Sequence, residues 1–257
     1  MINHLFDDNW IESRKQNEVS WKSEVLKDIT GNGTIYLNCI AKWFSEFPGS
    51  KKEKNHLKSS LKSPKNTDHL GAVNELSWWK FWTSRCFELN PIPTGNGATP
   101  DFILNLNEEE SVIFEVTTLN PSQNESCQDL TFSQQNSTRR IIEKAKNKIE
   151  QFQYGIRKNI PVVLILFNYD EWRGYGARFN RPPHAELTEI PIEISGIIYL
   201  ERSVRDGIPY FKKGSIFFAE NPRSCLSLPV KSKSTLSSIF KKEDDWIICD
   251  KHCISTK

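Results

Sequence analysis

At 257 residues, 37% hydrophobic and 26% charged, the chain is long enough for one large domain or a core domain with an extension, and its composition is that of an ordinary globular protein. Thirty-four basic against 32 acidic residues leave a net charge of +2, so no global field announces a polyanionic partner. No stretch approaches the roughly 18 apolar residues of a membrane span, and the start, MINHLFDDNWIESRK, lacks the pattern of a signal peptide; the expectation is a cytoplasmic protein with no membrane role and with thiol cysteines.

Residues 1 to about 48 alternate charged and apolar side chains at helical spacing, anchored by Trp10, Trp21 and Trp43, and TGNGT reads as a turn between segments. KKEKNHLKSSLKSPK, residues 51 to 65, carries six lysines against one glutamate and reads as a mobile linker or a basic helix; such a patch suits phosphate contacts, although a solvated face looks the same in sequence. Residues 1–66 are therefore expected to form a helical N-terminal extension with a basic linker, ahead of an α/β domain over 67–257. That domain opens with a helix from Asp68, a candidate cap, to about Leu89, before PIPTGNGATP breaks the pattern. DFILNLN and SVIFEVTTL flank the charged turn EEE and predict a hairpin. STRRIIEKAKNKIEQFQYGIRK predicts one long helix, IPVVLILFN a strand buried on both faces, and SGIIYLER and GSIFFAEN further strands. Helix, two strands, helix and strand in that order predict a mixed central sheet flanked by helices.

Three acids break apolar patterns in this region. On the strand at 111–119, Val112, Phe114 and Val116 share one face while Ile113, Glu115 and Thr117 share the other, which puts a carboxylate in a run that should be buried. On the preceding helix, Glu75 lies in a stripe formed by Ala72, Trp79, Trp82 and Cys86, and Asp101 follows Pro100 at the start of the first hairpin strand. An unpaired buried carboxylate costs several kcal/mol, so a metal, a basic partner or hydrogen-bond donors must compensate it. Three acids on adjacent elements that can converge on one sheet end suit a hard divalent cation, while acids that are each paired with a basic residue are the structural alternative.

TPDFILNLN followed by FEVTT resembles the PD-(D/E)xK nuclease superfamily, the restriction-endonuclease-like fold, over roughly residues 67–170. The resemblance implies a core of helix, hairpin, helix and strand. It implies further that Asp101 and Glu115 hold Mg²⁺, or Mn²⁺ as a substitute, with the carbonyl of Val116 assisting and Glu75 as the first-helix acid. Thr117 stands where the family has its lysine, a departure that removes the positive charge from that position. Some members supply the lysine from elsewhere, and the long helix offers Lys144 and Lys148 for that role on a polar stripe with Arg140 and Gln151; Arg139, Arg140, Lys144 and Gln151 are the expected nucleic-acid-binding residues. The implied activity is Mg²⁺-dependent hydrolysis of DNA, in restriction, phage defence or repair, with a homodimer or an accessory defence protein as further partners. A catalytically silent domain that binds nucleic acid or a protein is the alternative. The five histidines are dispersed, and CDKHC, with Cys249, His252 and Cys253, has no second cluster and reads as a tail.

Overall fold

The computed structural model describes residues 5–15, 31–95, 97–119, 141–168, 189–211, 217–239 and 246–247. Trp21, Arg139, Arg140 and the CDKHC tail lie outside the described residues. Six helices are α1 (Asp8–Lys15), α2 (Asn32–Glu46), α3 (Lys51–Leu61), α4 (Asn66–Thr83), α5 (Ile149–Lys158) and α6 (Val230–Ile239) among those residues. The strands are β1 (Glu88–Pro91), β2 (Phe102–Asn105), β3 (Ser111–Leu119), β4 (Val162–Asn168), β5 (Gly196–Arg205), β6 (Ile208–Phe211), β7 (Phe217–Glu220) and β8 (Trp246–Ile247).

The strands form an open mixed sheet in the order β1-β2-β3-β4-β5-β7. The β1–β2 and β2–β3 pairs are antiparallel, β3–β4 and β4–β5 are parallel, and β7 returns antiparallel to β5. The far half of β5 also pairs with β6, which in turn pairs with β8. Alternation along the central strands divides the core into two layers. Val112, Phe114, Val116, Val163, Ile165 and Phe167 pack with apolar residues of α1 to α4. Ile113, Val162, Leu164 and Leu166 pack on the other side with Ile141, Ala145 and Phe152. No described helix is long and apolar enough to cross a membrane.

The lysine-rich stretch is a helix, not a linker. Ser50 and Glu53 form a reciprocal capping box at its start, and Leu57 and Leu61 are turned into the core. Helix α4 differs from its sequence reading at both ends. Asp68 is in the first turn and accepts a hydrogen bond from the Ser63 hydroxyl instead of capping, and Cys86, at φ 61°, is an exposed turn residue beyond the helix. That left-handed turn feeds β1, a strand hidden in a stretch that reads as a helix end followed by a proline break. Trp78 and Phe81 are as fully buried as Trp82, because Phe211 of β6 and Phe114 of β3 pack against them.

The helix expected over residues 137–158 is broken. Residues 141–146 are helical, Asn147 and Lys148 form a turn, and α5 starts again at Ile149. Lys148 has φ −110° and ψ 11°, its N–H reaching back to the carbonyl of Ala145. At the far end of α5, Asn159 takes the left-handed conformation, and the N–H of Ile160 returns to Gly155. Gly155 is required there, since a Cβ would lie against Val162 Cγ2 and only 2.7 Å from the carbonyl oxygen of Ile160. The close approach fixes α5, and with it Lys148, against β4.

Candidate functional site

Strand β2 runs beside β3 only as far as Phe102, opposite Phe114. The chain before it turns toward β1, where the carbonyl of Asp101 accepts the N–H of Ile92 at 2.9 Å. Backbone polar groups of successive strand residues face opposite neighbours, and Ile113 donates toward β4, to Pro161. The N–H and carbonyl of Val116 therefore face the side that β2 has left. The N–H is satisfied by a side chain instead of a strand: it donates to Asp101 Oδ2 at 2.7 Å. The carbonyl of Val116 faces the same opening. Divergence of the hairpin thus places Asp101 and the Val116 backbone at one point on the edge of β3.

Glu115, one residue earlier, is 2% exposed, and Thr117 is buried on the same face. Lys148 Nζ donates to Glu115 Oε1 at 2.6 Å, its side chain 28% exposed. Glu115 Oε2 is buried and accepts no hydrogen bond among the described residues. Lys148 is thus the residue of the predicted polar stripe that meets the strand acid. Lys144 and Gln151 are half-buried on either side of it.

Charge accumulates here. Burial first, then repulsion from Asp101 and Glu115, holds the carboxyl of Glu75 well above the usual carboxylate range. Burial and the Asp101 charge push Glu115 up to about 8, against the opposing pull of Lys148. Burial raises Asp101 to about 6, restrained by the Val116 N–H and by Lys148. Burial alone would lower Lys148, but Glu115, Asp101 and Glu75 outweigh it and hold the ammonium above the ordinary lysine range. Lys148 is therefore a cation at neutral pH, and its pair with Glu115 becomes fully charged only as pH rises past about 8. As whole residues Asp101 and Glu75 are half-buried, whereas Glu115 is buried.

Among the described residues, no group of three or more His, Cys, Asp or Glu side chains is arranged to hold a metal ion as it stands. The donor set fits a hard divalent ion by type all the same: two carboxylates and a backbone carbonyl, with Oε2 of Glu115 a buried acceptor left unsatisfied. Glu75 lies within electrostatic range of both carboxylates.

Two features escaped the sequence. His56 of α3 lies within electrostatic range of Asp101, because α3 packs beside the loop that leads into β2. Asn74, next to Glu75, donates to Thr118 Oγ1 at 2.8 Å and accepts from Arg202 Nε at 2.8 Å, a buried polar chain that ties α4 to β3 and β5. Neither has a local signal, since each depends on elements far apart in the chain. Comparison of the chain with models of known families, with curated proteins and with solved structures gives no significant match.

Proposed function

We propose that the protein is a divalent-metal-dependent nuclease that hydrolyses phosphodiester bonds in DNA, with a restriction-endonuclease-like core. The observation that carries this reading is the junction of Asp101, Val116, Glu115 and Lys148 where β2 leaves β3. Asp101, Glu115 and the carbonyl of Val116 would hold Mg²⁺ or Mn²⁺. A bound Mg²⁺ lowers the pKa of a water ligand and screens the charge of the phosphodiester. Lys148 supplies the positive charge that Thr117 cannot. Because its ammonium is held above the ordinary lysine range, it acts as a fixed cation that stabilises negative charge on the phosphate, and not as a proton acceptor. Glu115, which bonds it, sets its position.

A silent binding domain is the second reading, favoured by Thr117 at the lysine position and by the engagement of Glu115 Oε1 by Lys148. Incubating wild type, Asp101→Ala and Glu115→Ala with supercoiled plasmid, single-stranded DNA and RNA, in Mg²⁺, Mn²⁺ or EDTA, separates the two. The nuclease reading expects metal-dependent cutting of DNA that both substitutions abolish. Absence of cutting by folded wild type in either metal would reject it in favour of the binding domain.

A further inference from the structure

The nuclease reading leaves α3 without a role, although α3 borders the candidate site. Its N-terminal end is anchored there by three contacts: Phe47, just before it, meets both Trp79 and Phe102 edge-on, and Glu53 Oε1 accepts the N–H of Thr94 at 3.2 Å in the loop that runs to Asp101. The capping box and Thr94 thus occupy the one acid of the helix. Lys54 is half-buried, and the other basic residues are left to solvent. Lys51, Lys52, His56 and Lys58 are exposed, and none of these lysines forms an ion pair with another described residue. Lys52 and His56 are one turn apart on a common face, and His56 lies within electrostatic range of Asp101. At the other end of the helix, Asn55, Lys58 and Ser59 line an open groove of about 570 Å³ together with Asp68, whose carboxylate accepts from the Ser63 hydroxyl.

We infer that α3 is the docking surface for the phosphodiester backbone of a nucleic acid strand, which it leads toward Asp101. The inference rests on the nuclease reading for what happens to the strand, but not for its binding. A basic amphipathic helix also suits an anionic membrane, which it enters by its apolar face. That face is spent in this protein: Leu57 is 4% and Leu61 0% exposed, both inside the main core. What remains outward on α3 itself is a set of ammonium, imidazole, amide and hydroxyl groups, with Asp68 as the acid of the neighbouring groove. The set on α3 matches phosphate oxygens and carries no means of reading base sequence.

The test measures binding in EDTA, where no cutting interferes. Fluorescence anisotropy with labelled duplex DNA, single-stranded DNA and duplex RNA is followed across a salt series for wild type, Lys52→Gln/Lys58→Gln, and a control of equal charge change, Lys158→Gln/Lys231→Gln, whose exposed lysines lie on α5 and α6. Each lost lysine–phosphate contact lowers the slope of log K against log salt by about 0.9 on duplex DNA, so the α3 double variant should lose a slope of roughly 1.8 while the control keeps that of wild type. The probe bound most tightly by wild type identifies the kind of strand. Equal slopes for the α3 variant and wild type, an equal loss in the control, no binding to any of the three probes, or tighter binding to phosphatidylserine vesicles would each overturn the inference. Binding that depends on α3 without metal-dependent cutting would refute the nuclease reading alone, and cutting with α3 indifferent would refute this inference alone.

Discussion

Glu115→Gln separates a functional acid from a structural one, because the two roles predict opposite signs. The carboxyl is 2% exposed and is raised from 4.5 to about 8 on folding, by burial and by Asp101. The folded protein therefore binds more protons than the unfolded chain between those values, and stability must fall as pH rises through them. At about 1.4 kcal/mol per tenfold change in proton affinity, the loss from this group is roughly 5 kcal/mol at most once pH has passed about 8. Glutamine fills nearly the same space without the charge. Lys148 then loses its partner, but at 28% exposed it still reaches water. The net expectation is that Glu115→Gln stabilises the protein by about 2–4 kcal/mol at pH 8.5 and by under about 0.5 kcal/mol at pH 4.5. Urea unfolding of both proteins at the two pH values, in EDTA, measures it. A structural ion pair predicts the reverse, a loss of about 3–5 kcal/mol on breaking the pair. A destabilised variant at pH 8.5 would refute the view that Glu115 is kept there at a cost in stability.

Three more outcomes follow from the same geometry. Lys148→Met should lower the rate of cleavage by about 10²-fold or more while Mn²⁺ binding persists, as a single-turnover assay and a metal titration would show; an unchanged rate would remove Lys148 from the chemistry. Asn74→Ala deprives Thr118 and Arg202 of a shared buried partner and should cost about 2–3 kcal/mol by urea unfolding, with a near-neutral result meaning that the chain can rearrange. Gly155→Ala drives a methyl into Val162 and the carbonyl of Ile160 and should cost about 1–3 kcal/mol, read from the same assay.

The hairpin was legible because SVIFEVTTL is a run rich in β-branched and aromatic residues that faces DFILNLN across a charged turn, and Glu115 stood out because an acid interrupts that apolar run. Asp101 was legible only as a neighbour of Pro100. The bond that makes it part of a site depends on β2 ending at Phe102, and no local pattern marks that point. The break before α5 was hidden because Ile142, Ala145, Ile149 and Phe152 keep one helical phase straight through it. Strand β1 was hidden by Pro91, a residue tolerated at a sheet edge, where it needs to donate no ladder hydrogen bond. The depth of Trp78 and Phe81 was hidden because Phe211, more than a hundred residues on, supplies their cover. In each case the missing information was a tertiary partner.

The central claim is that Asp101 and Glu115, with the carbonyl of Val116, bind a divalent ion beside Lys148. Calorimetric titration of Mn²⁺ into the full chain at pH 8.5, repeated with Asp101→Ala and Glu115→Gln, tests it without reference to activity. The account predicts saturable binding to wild type, released protons as the carboxyl groups give way to the metal, weaker binding at pH 6.5, and loss of the signal in both variants. Binding of equal strength in wild type and both variants, or none in wild type, would contradict it.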